Sequence, residues 1–344
     1  MKILCIGDQH FKDNLSYADY ITDRRVSEKK RILDYIIQQS VDCQHIVFLG
    51  DNFNSRNNSS ETNREFVEFL ERFEDKQVYL LSGNHEKKGN GKTAIDFIGE
   101  IKKDNWHIFT KLQARKGATK IGDLNISFLP YMHNSELGSY SIKDSVKKIM
   151  TNLDGGDILF AHHTITGSSW NGIKADSLTT EIVLPREELE KKYRLIVAGH
   201  IHESQQIGNT LVAGSIFTSE VGEVEKYIYK IETATLETET IPLPGRSIYK
   251  FENPTIEQLK NIDNYSIIKA IVTDKKINID ELEKELSNFD AHIIVEDYPS
   301  ERKKIKIEQS AFDFSIEALL KLYSKEKDVN YEKLINALEI INNE

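Results

Sequence analysis

The chain opens MKILCIGDQH (residues 1–10), where an apolar run at 3–6 breaks on Gly7 and is followed at once by Asp8 and His10. A short run of this kind, bounded by a turn signal, reads as a buried strand with a polar loop at its C-terminal end. The pattern recurs down the chain. Runs at 46–49, 78–81, 158–161 and 195–198 lead into Gly50-Asp51, Gly83-Asn84-His85-Glu86, His162-His163 and Gly199-His200-Ile201-His202, and a further run lies at 126–129. Amphipathic stretches at 25–39, 62–74, 93–103 and 142–152 separate them. In the first, Ile32, Leu33, Ile36 and Ile37 recur at helical spacing, which places Lys29, Lys30 and Arg31 toward water. Alternating short strands and helices predict an α/β domain. From 206 to 243 the pattern is strand-like, with Tyr227, Tyr229 and Ile231 alternating against polar neighbours, and predicts a second sheet.

Pro242-Leu243-Pro244-Gly245 interrupts regular structure and marks a domain boundary, giving a main domain over 1–245. A small α+β domain is expected over 246–308, with strands at 247–251, 267–272 and 293–296 and helices at 255–261 and 280–289. Two amphipathic stretches, 315–324 and 330–342, predict a C-terminal helical hairpin within 309–344.

Of the 344 residues, 39% are hydrophobic and 29% charged, which excludes long disorder. No run approaches the 18 or so apolar residues of a membrane span, and the first strand starts with no signal-peptide anatomy, so a cytoplasmic protein that meets no membrane is expected. Cys5 and Cys43 are too few for a disulfide framework and read as buried thiols. The net charge of −10 offers no basic tail, so contact with a nucleic acid would need a local patch or bound cations.

The polar clusters share one position, just past a strand's C-terminal end, where open α/β sheets gather their ligand-binding loops. Their residue types share one chemistry. Carboxylate, imidazole and amide oxygen without thiolate favour Mn²⁺, Fe²⁺ or Zn²⁺ over a structural zinc or Ca²⁺. Asp8-x-His10 and His200-x-His202 bring alternate side chains to one pocket on extended backbone. Seven candidate ligands exceed the need of one ion, and two ions sharing Asp51 account for the number. Asp8, His10, Asp51 and His202 would hold the first, and Asp51, Asn84, His162 and His200 the second. His163 would point to the opposite face of its strand, outside the ligand set. Lys87, Lys88 and Lys92 border this centre and are candidate phosphate contacts.

Asp8-Gln9-His10, Gly50-Asp51, Gly83-Asn84-His85-Glu86, Ala161-His162 and Gly199-His200-Ile201-His202, in this order, resemble the calcineurin-like metallophosphoesterase superfamily. Ala213-Gly214-Ser215, the run Thr218 to Glu223 and the strand from Tyr227 to Glu232 are more specifically similar to SbcD-type double-strand-break-repair nucleases, including those of T-even-like phages. The resemblance covers residues 1–245 and implies a four-layer sandwich of two sheets flanked by helices, a small capping domain and C-terminal helices. It also implies a di-metal DNA exonuclease and endonuclease working with two Mn²⁺, or Mg²⁺, and His85 as the catalytic histidine. Its implied partners are DNA, an SbcC-like SMC-family ATPase bound by the terminal helices, and a second nuclease copy. One position departs from the family pattern, which continues Gly-Asp-x-Phe with Asp or His. Here Asn54 follows Phe53, next to the expected path of the DNA strand. A phosphoesterase acting on a nucleotide or phosphoprotein, and a non-catalytic adaptor for the ATPase, are the alternative readings.

Overall fold

A computed structural model describes residues 1–12, 25–73, 75–89, 91–112, 119–170, 173–175, 181–219, 223 and 225–295. The first half of the main domain alternates β1 (Lys2–Ile6), α1 (Val26–Gln39), β2 (His45–Phe48), α2 (Ser60–Glu71) and β3 (Gln77–Leu81). A hairpin of β4 (Lys87–Gly89) and β5 (Lys92–Thr93), then α3 (Asp96–Glu100), lead to β6 (Trp106–Phe109). The second half holds β7 (Thr119–Ile121), β8 (Leu124–Leu129), α4 (Ile142–Asn152) and β9 (Gly156–His162). After β9 come the short strands β10 (Thr164–Ile165), β11 (Ser169–Trp170), β12 (Ile173–Lys174) and β13 (Val183–Leu184). They are followed by α5 (Arg186–Glu190), β14 (Tyr193–Gly199), β15 (Gln205–Ile207) and β16 (Thr210–Val212). The chain continues through β17 (Tyr227–Glu232) and β18 (Thr238–Pro242).

Two six-stranded sheets result, ordered β18-β17-β1-β2-β3-β6 and β15-β16-β14-β9-β8-β7. Period-two alternation assigns each strand residue to a layer. Leu4, Ile6, Ile46, Phe48, Val78 and Leu80 turn outward onto α1, α2 and α3. Their neighbours Ile3, Cys5, Val47, Leu49, Tyr79 and Leu81 face inward and meet Ile126, Phe128, Ile158, Phe160, Leu195 and Val197 of the second sheet. That sheet's other face, through Leu159, Ala161, Ile196 and Ala198, packs on Ile149 and Met150 of α4 and Leu189 of α5. The architecture is therefore the four-layer α/β/β/α sandwich.

Four local expectations need correction. The strand-like segment 206–243 is not one sheet: β15 and β16 extend the sheet of β14, whereas β17 crosses back to pair antiparallel with β1, Ile3 opposite Ile231. The helix expected over 93–103 shortens to α3, because Asp96 accepts from the Thr93 amide at 2.7 Å and its hydroxyl at 2.9 Å and so holds a turn. The strand β6 was not predicted, since Trp-His-Ile-Phe is too short to show a period. Lys29, expected to face water, is buried in an ion pair with Glu65 and donates to the Lys12 carbonyl.

Beyond the Pro-Gly segment, β19 (Ile248–Glu252), α6 (Ile256–Lys260), β20 (Ile267–Val272), α7 (Ile279–Leu286) and β21 (Asp290–Val295) build a three-stranded parallel sheet with its own apolar cluster. Thr255 and Gln258 form a reciprocal capping box on α6. The hairpin expected at 315–324 and 330–342, and the strand positions after Val295, lie outside the described residues. Buried Glu28 ties this unit to the main domain. It accepts from Arg25 Nε at 2.6 Å and Nη2 at 2.8 Å and from the Arg246 amide at 2.8 Å, while Arg246 pairs with Asp290 at 2.7 Å. Removing one partner of a buried pair leaves the other charge desolvated, so Glu28→Ala is expected to cost about 3–5 kcal/mol of stability, read as a lowered urea midpoint. An unchanged midpoint would show that the pair contributes no net stability.

Candidate metal centre

All five polar loops meet where the two sheets present their strand C-termini. Three of the side chains predicted as ligands sit on left-handed backbone: His10 at φ 45°, Asp51 at φ 44° and His200 at φ 90°. Such strain persists only where surrounding contacts over-determine it. Those contacts are visible. The amides of Gln9 and His10 donate to the Asp51 carbonyl at 3.1 and 2.9 Å, stapling the first loop to the second. The His200 amide donates to both Asp8 carboxylate oxygens at 3.1 and 3.0 Å, and the His85 amide to Asp51 Oδ1 at 2.9 Å. Buried Glu86 accepts from the amides of Gly83 at 2.8 Å and Phe53 at 3.1 Å, bracing the second loop against the third. Burial pushes its carboxyl up to about 7. Close approach explains two glycines. A Cβ on Gly50, itself at φ 101°, would lie 2.2 Å from His162 Nδ1, and one on Gly7 would lie 1.7 Å from the Gly214 carbonyl oxygen.

The side chains resolve into two clusters that share Asp51. In one, His10 Nε2 lies 2.9 Å from His202 Nε2, with Asp51 Oδ2 3.9 Å from the former and Asp8 Oδ2 3.9 Å from the latter. In the other, His162 Nε2 lies 3.4 Å from Asp51 Oδ2 and 3.2 Å from Asn84 Oδ1, which is 2.8 Å from His200 Nδ1. Groups of three potential ligands recur here as Asp8, His10 and His202, as Asp51, His162 and His200, and as His10, Asp51 and His85. The structure thus brings together all seven residues expected to hold metal, with His85 at their edge.

The donor set fits divalent cations. The Leu49 carbonyl can only accept, so at 2.6 Å it takes the Nδ1 proton of His162 and turns the Nε2 lone pair toward the centre. Glu181 Oε2, 3.2 Å from His200 Nε2, does the same for His200 Nδ1. Lone pairs of imidazole, amide and carboxylate then point at one another, an arrangement that bound cations satisfy. Electrostatics agree. Burial raises the Asp8 carboxyl well above the usual range, whereas for Asp51 burial is outweighed chiefly by His162, which holds it far below; against its own burial His162 is in turn pushed up to about 9 by the two carboxylates, so a cation at its Nε2 would take the place of a proton. Burial, helped by His202 and His85, keeps His10 well below the ordinary imidazole value, that is neutral and able to coordinate. Two buried carboxylates this close do not both ionise without added positive charge, and two divalent ions provide it.

The remaining candidates separate. Lys88, Lys92 and Asn54 are exposed. Lys87 is not a surface contact, since its side chain turns inward and pairs with Glu136 at 3.0 Å. Asn54 engages His85 through its backbone carbonyl, 3.0 Å from Nδ1, so this bond does not depend on the side chain that departs from the family pattern. His163 is buried away from the clusters, accepts from the Met132 amide at 3.2 Å and stacks on Tyr131. Tyr131 and Glu181 were not predicted. The Tyr131 ring lies 6.3 Å from that of His162 and 5.7 Å from that of His200, walling one side of the centre. Tyr131 stands two residues past β8, at a strand end like the ligands, but a tyrosine is not one of the carboxylate, imidazole or amide types that marked them; Glu181 precedes β13 and carries no such positional signal.

Above the clusters lies a cleft of about 320 Å³ whose wall includes Asp51, Asn84, His85, His200 and His202. The side chain of His85 is 41% exposed there, with Nε2 3.9 Å from Asp51 Oδ2. No curated protein matches the sequence. Among solved structures, one described as a novel archaeal phosphodiesterase aligns at 13% identity over 71% of this chain and 100% of its own, with a TM-score of 0.35. The family model for calcineurin-like phosphoesterases matches residues 1–204, more than half of the 344 and the span that carries every clustered ligand. With two sheets that deliver carboxylate, imidazole and amide donors to one edge, this chain belongs to the calcineurin-like phosphoesterases, a family that binds divalent metals.

Proposed function

We propose that the protein hydrolyses phosphodiester bonds at DNA ends, as the nuclease subunit of a complex with an SbcC-like SMC-family ATPase. The observation that carries the reading is His85. It is held at the rim of an open cleft by a backbone carbonyl, beside a carboxylate common to two ligand clusters. Two Mn²⁺ or Mg²⁺ ions, held by Asp8, His10, Asp51 and His202 and by Asp51, Asn84, His162 and His200, would supply an activated water and neutralise charge on the phosphate. The chain's own groups do the rest. The Asn54 carbonyl retains the Nδ1 proton of His85, so Nε2 faces the scissile phosphate, and the imidazolium gives its Nε2 proton to the leaving 3′ oxygen as the P–O bond breaks. Leu49 and Glu181 hold the tautomers of His162 and His200, and the Tyr131 ring lies beside both imidazoles. Lys88 and Lys92, exposed on the β4/β5 hairpin that follows His85 and Glu86, are the groups assigned to contact the DNA backbone in this reading.

The test is digestion of an end-labelled linear duplex with Mn²⁺ or Mg²⁺, beside a nitrophenyl phosphodiester. Duplex digestion supports the reading. Hydrolysis of the small diester alone assigns a nucleotide or phosphoprotein substrate instead. The ATPase partnership and a nuclease dimer are part of this proposal, and the partner surface is assigned to 309–344. Truncation after Gln309 is expected to retain metal-dependent hydrolysis of small diesters while abolishing co-purification with the ATPase and ATP-stimulated digestion. Complex formation that survives the truncation moves the interface elsewhere.

A further inference from the structure

Most large apolar side chains of the described residues are buried, but Trp170 and Ile173 are 42% and 50% exposed, and both line the cleft that contains His85. They belong to the two-stranded β11/β12 hairpin, in which Trp170 is directly opposite Ile173. Directly opposed residues of an antiparallel pair project to the same face, so indole and sec-butyl form one apolar surface. The base of the hairpin is pinned. Gln205 of β15 accepts from the Ser169 amide at 2.9 Å and donates to the Ser169 carbonyl at 2.6 Å, and the Ala175 amide donates to the Ser168 carbonyl at 2.8 Å. An exposed tryptophan fixed in this way beside a phosphate-processing centre is a preorganised surface that no partner among the described residues covers.

We infer that Trp170, backed by Ile173, is the platform on which the nucleobase next to the scissile phosphate stacks, an inference that rests on the DNA reading above. The chemistry selects that occupant. A phosphodiester held over Asp51 and Asn84 must lay one substituent along the cleft wall, and a nucleobase is the substituent with a flat apolar face and a polar edge left in water. Stacking is indifferent to base identity, as an enzyme that degrades arbitrary DNA ends requires.

Wild type and three variants, Trp170→Phe, Trp170→Leu and Trp170→Ala, test it on a labelled single-stranded oligonucleotide and on the same oligonucleotide made abasic at the nucleotide next to cleavage, with methyl p-nitrophenyl phosphate as the check that the metal centre is intact. In Trp170→Ala the ratio of kcat/KM for the intact oligonucleotide to that for the abasic one falls on the order of 10–100-fold, mainly through KM. Phenylalanine restores most of the ratio, and leucine, apolar but not flat, does not. An abasic nucleotide at the position next to cleavage lowers wild-type kcat/KM and has little further effect in Trp170→Ala, the non-additivity expected of two groups in contact. An unchanged ratio, or leucine as effective as phenylalanine, overturns the platform while leaving the DNA reading intact. An unchanged ratio with a lost dimer in sedimentation overturns it in favour of a contact with a second copy. A wild type that hydrolyses the small diester and not the oligonucleotide overturns the DNA reading itself, and the platform with it.

Discussion

Asp51→Asn is expected to abolish hydrolysis and to lose bound metal while the α/β fold persists. The reason is geometric as well as electrostatic. Oδ1 of Asp51 accepts the His85 amide at 2.9 Å, so an asparagine must keep its carbonyl oxygen there and turn its NH₂ into the place of Oδ2. Oδ2 is the atom that lies 3.4 Å from His162 Nε2 and 3.9 Å from both His10 Nε2 and His85 Nε2. The substitution therefore removes a negative charge from both clusters at once and points donor hydrogens at the position two cations share. Elemental analysis should find fewer than two ions per chain, diester hydrolysis should be undetectable, and far-UV circular dichroism should match the wild type. Full activity with two bound ions in this variant would remove the shared-ligand model.

His85→Gln separates proton transfer from metal binding. Glutamine retains a hydrogen-bonding amide but cannot hand a proton to the leaving oxygen, so kcat should fall on the order of 10²–10⁴-fold, the contribution of a positioned acid. Both ions should remain. The His85 ring is 41% exposed and anchored to the Asn54 carbonyl, and Asp8, His10 and His202 on one side and Asn84, His162 and His200 on the other are untouched. The outcome is open to refutation because His10, Asp51 and His85 also form a possible ligand group. Loss of an ion from the variant, by elemental analysis or crystallography, would make His85 a ligand and return the acid's role to another group.

The two carboxylates show how far the centre was legible. Asp8 and Asp51 each follow an apolar run and a glycine, and the structure places both under the cleft with the imidazole that ends β9 and those that follow β14. What the chain's order hides is the set of groups that orient them. Lys87, two residues from His85, turns away to Glu136, which is 49 positions on. Glu181 and Tyr131 reach the histidines from segments with no motif of their own. Trp170 reads locally as one aromatic in a turn-rich stretch, and only its position over the same cleft as His85 gives it a role.

The sequence by itself determined the layers and the donors. Alternation along a strand depends only on the chain's own period of two, so Ile3 to Ile6, Ile46 to Leu49 and their counterparts carry their burial pattern locally, and the residues that end each strand are fixed by order alone. Tertiary structure decided which sheet each strand joined and where each polar head came to rest. The strand Tyr227–Glu232 alternates equally well in either sheet, and it pairs with Lys2–Ile6 because backbone donors and acceptors more than 200 residues apart meet there. The division of seven ligands into two clusters around Asp51, and the lone pairs turned inward by Leu49 and Glu181, arise from contacts between loops. Such contacts depend on distances in space that no local period encodes.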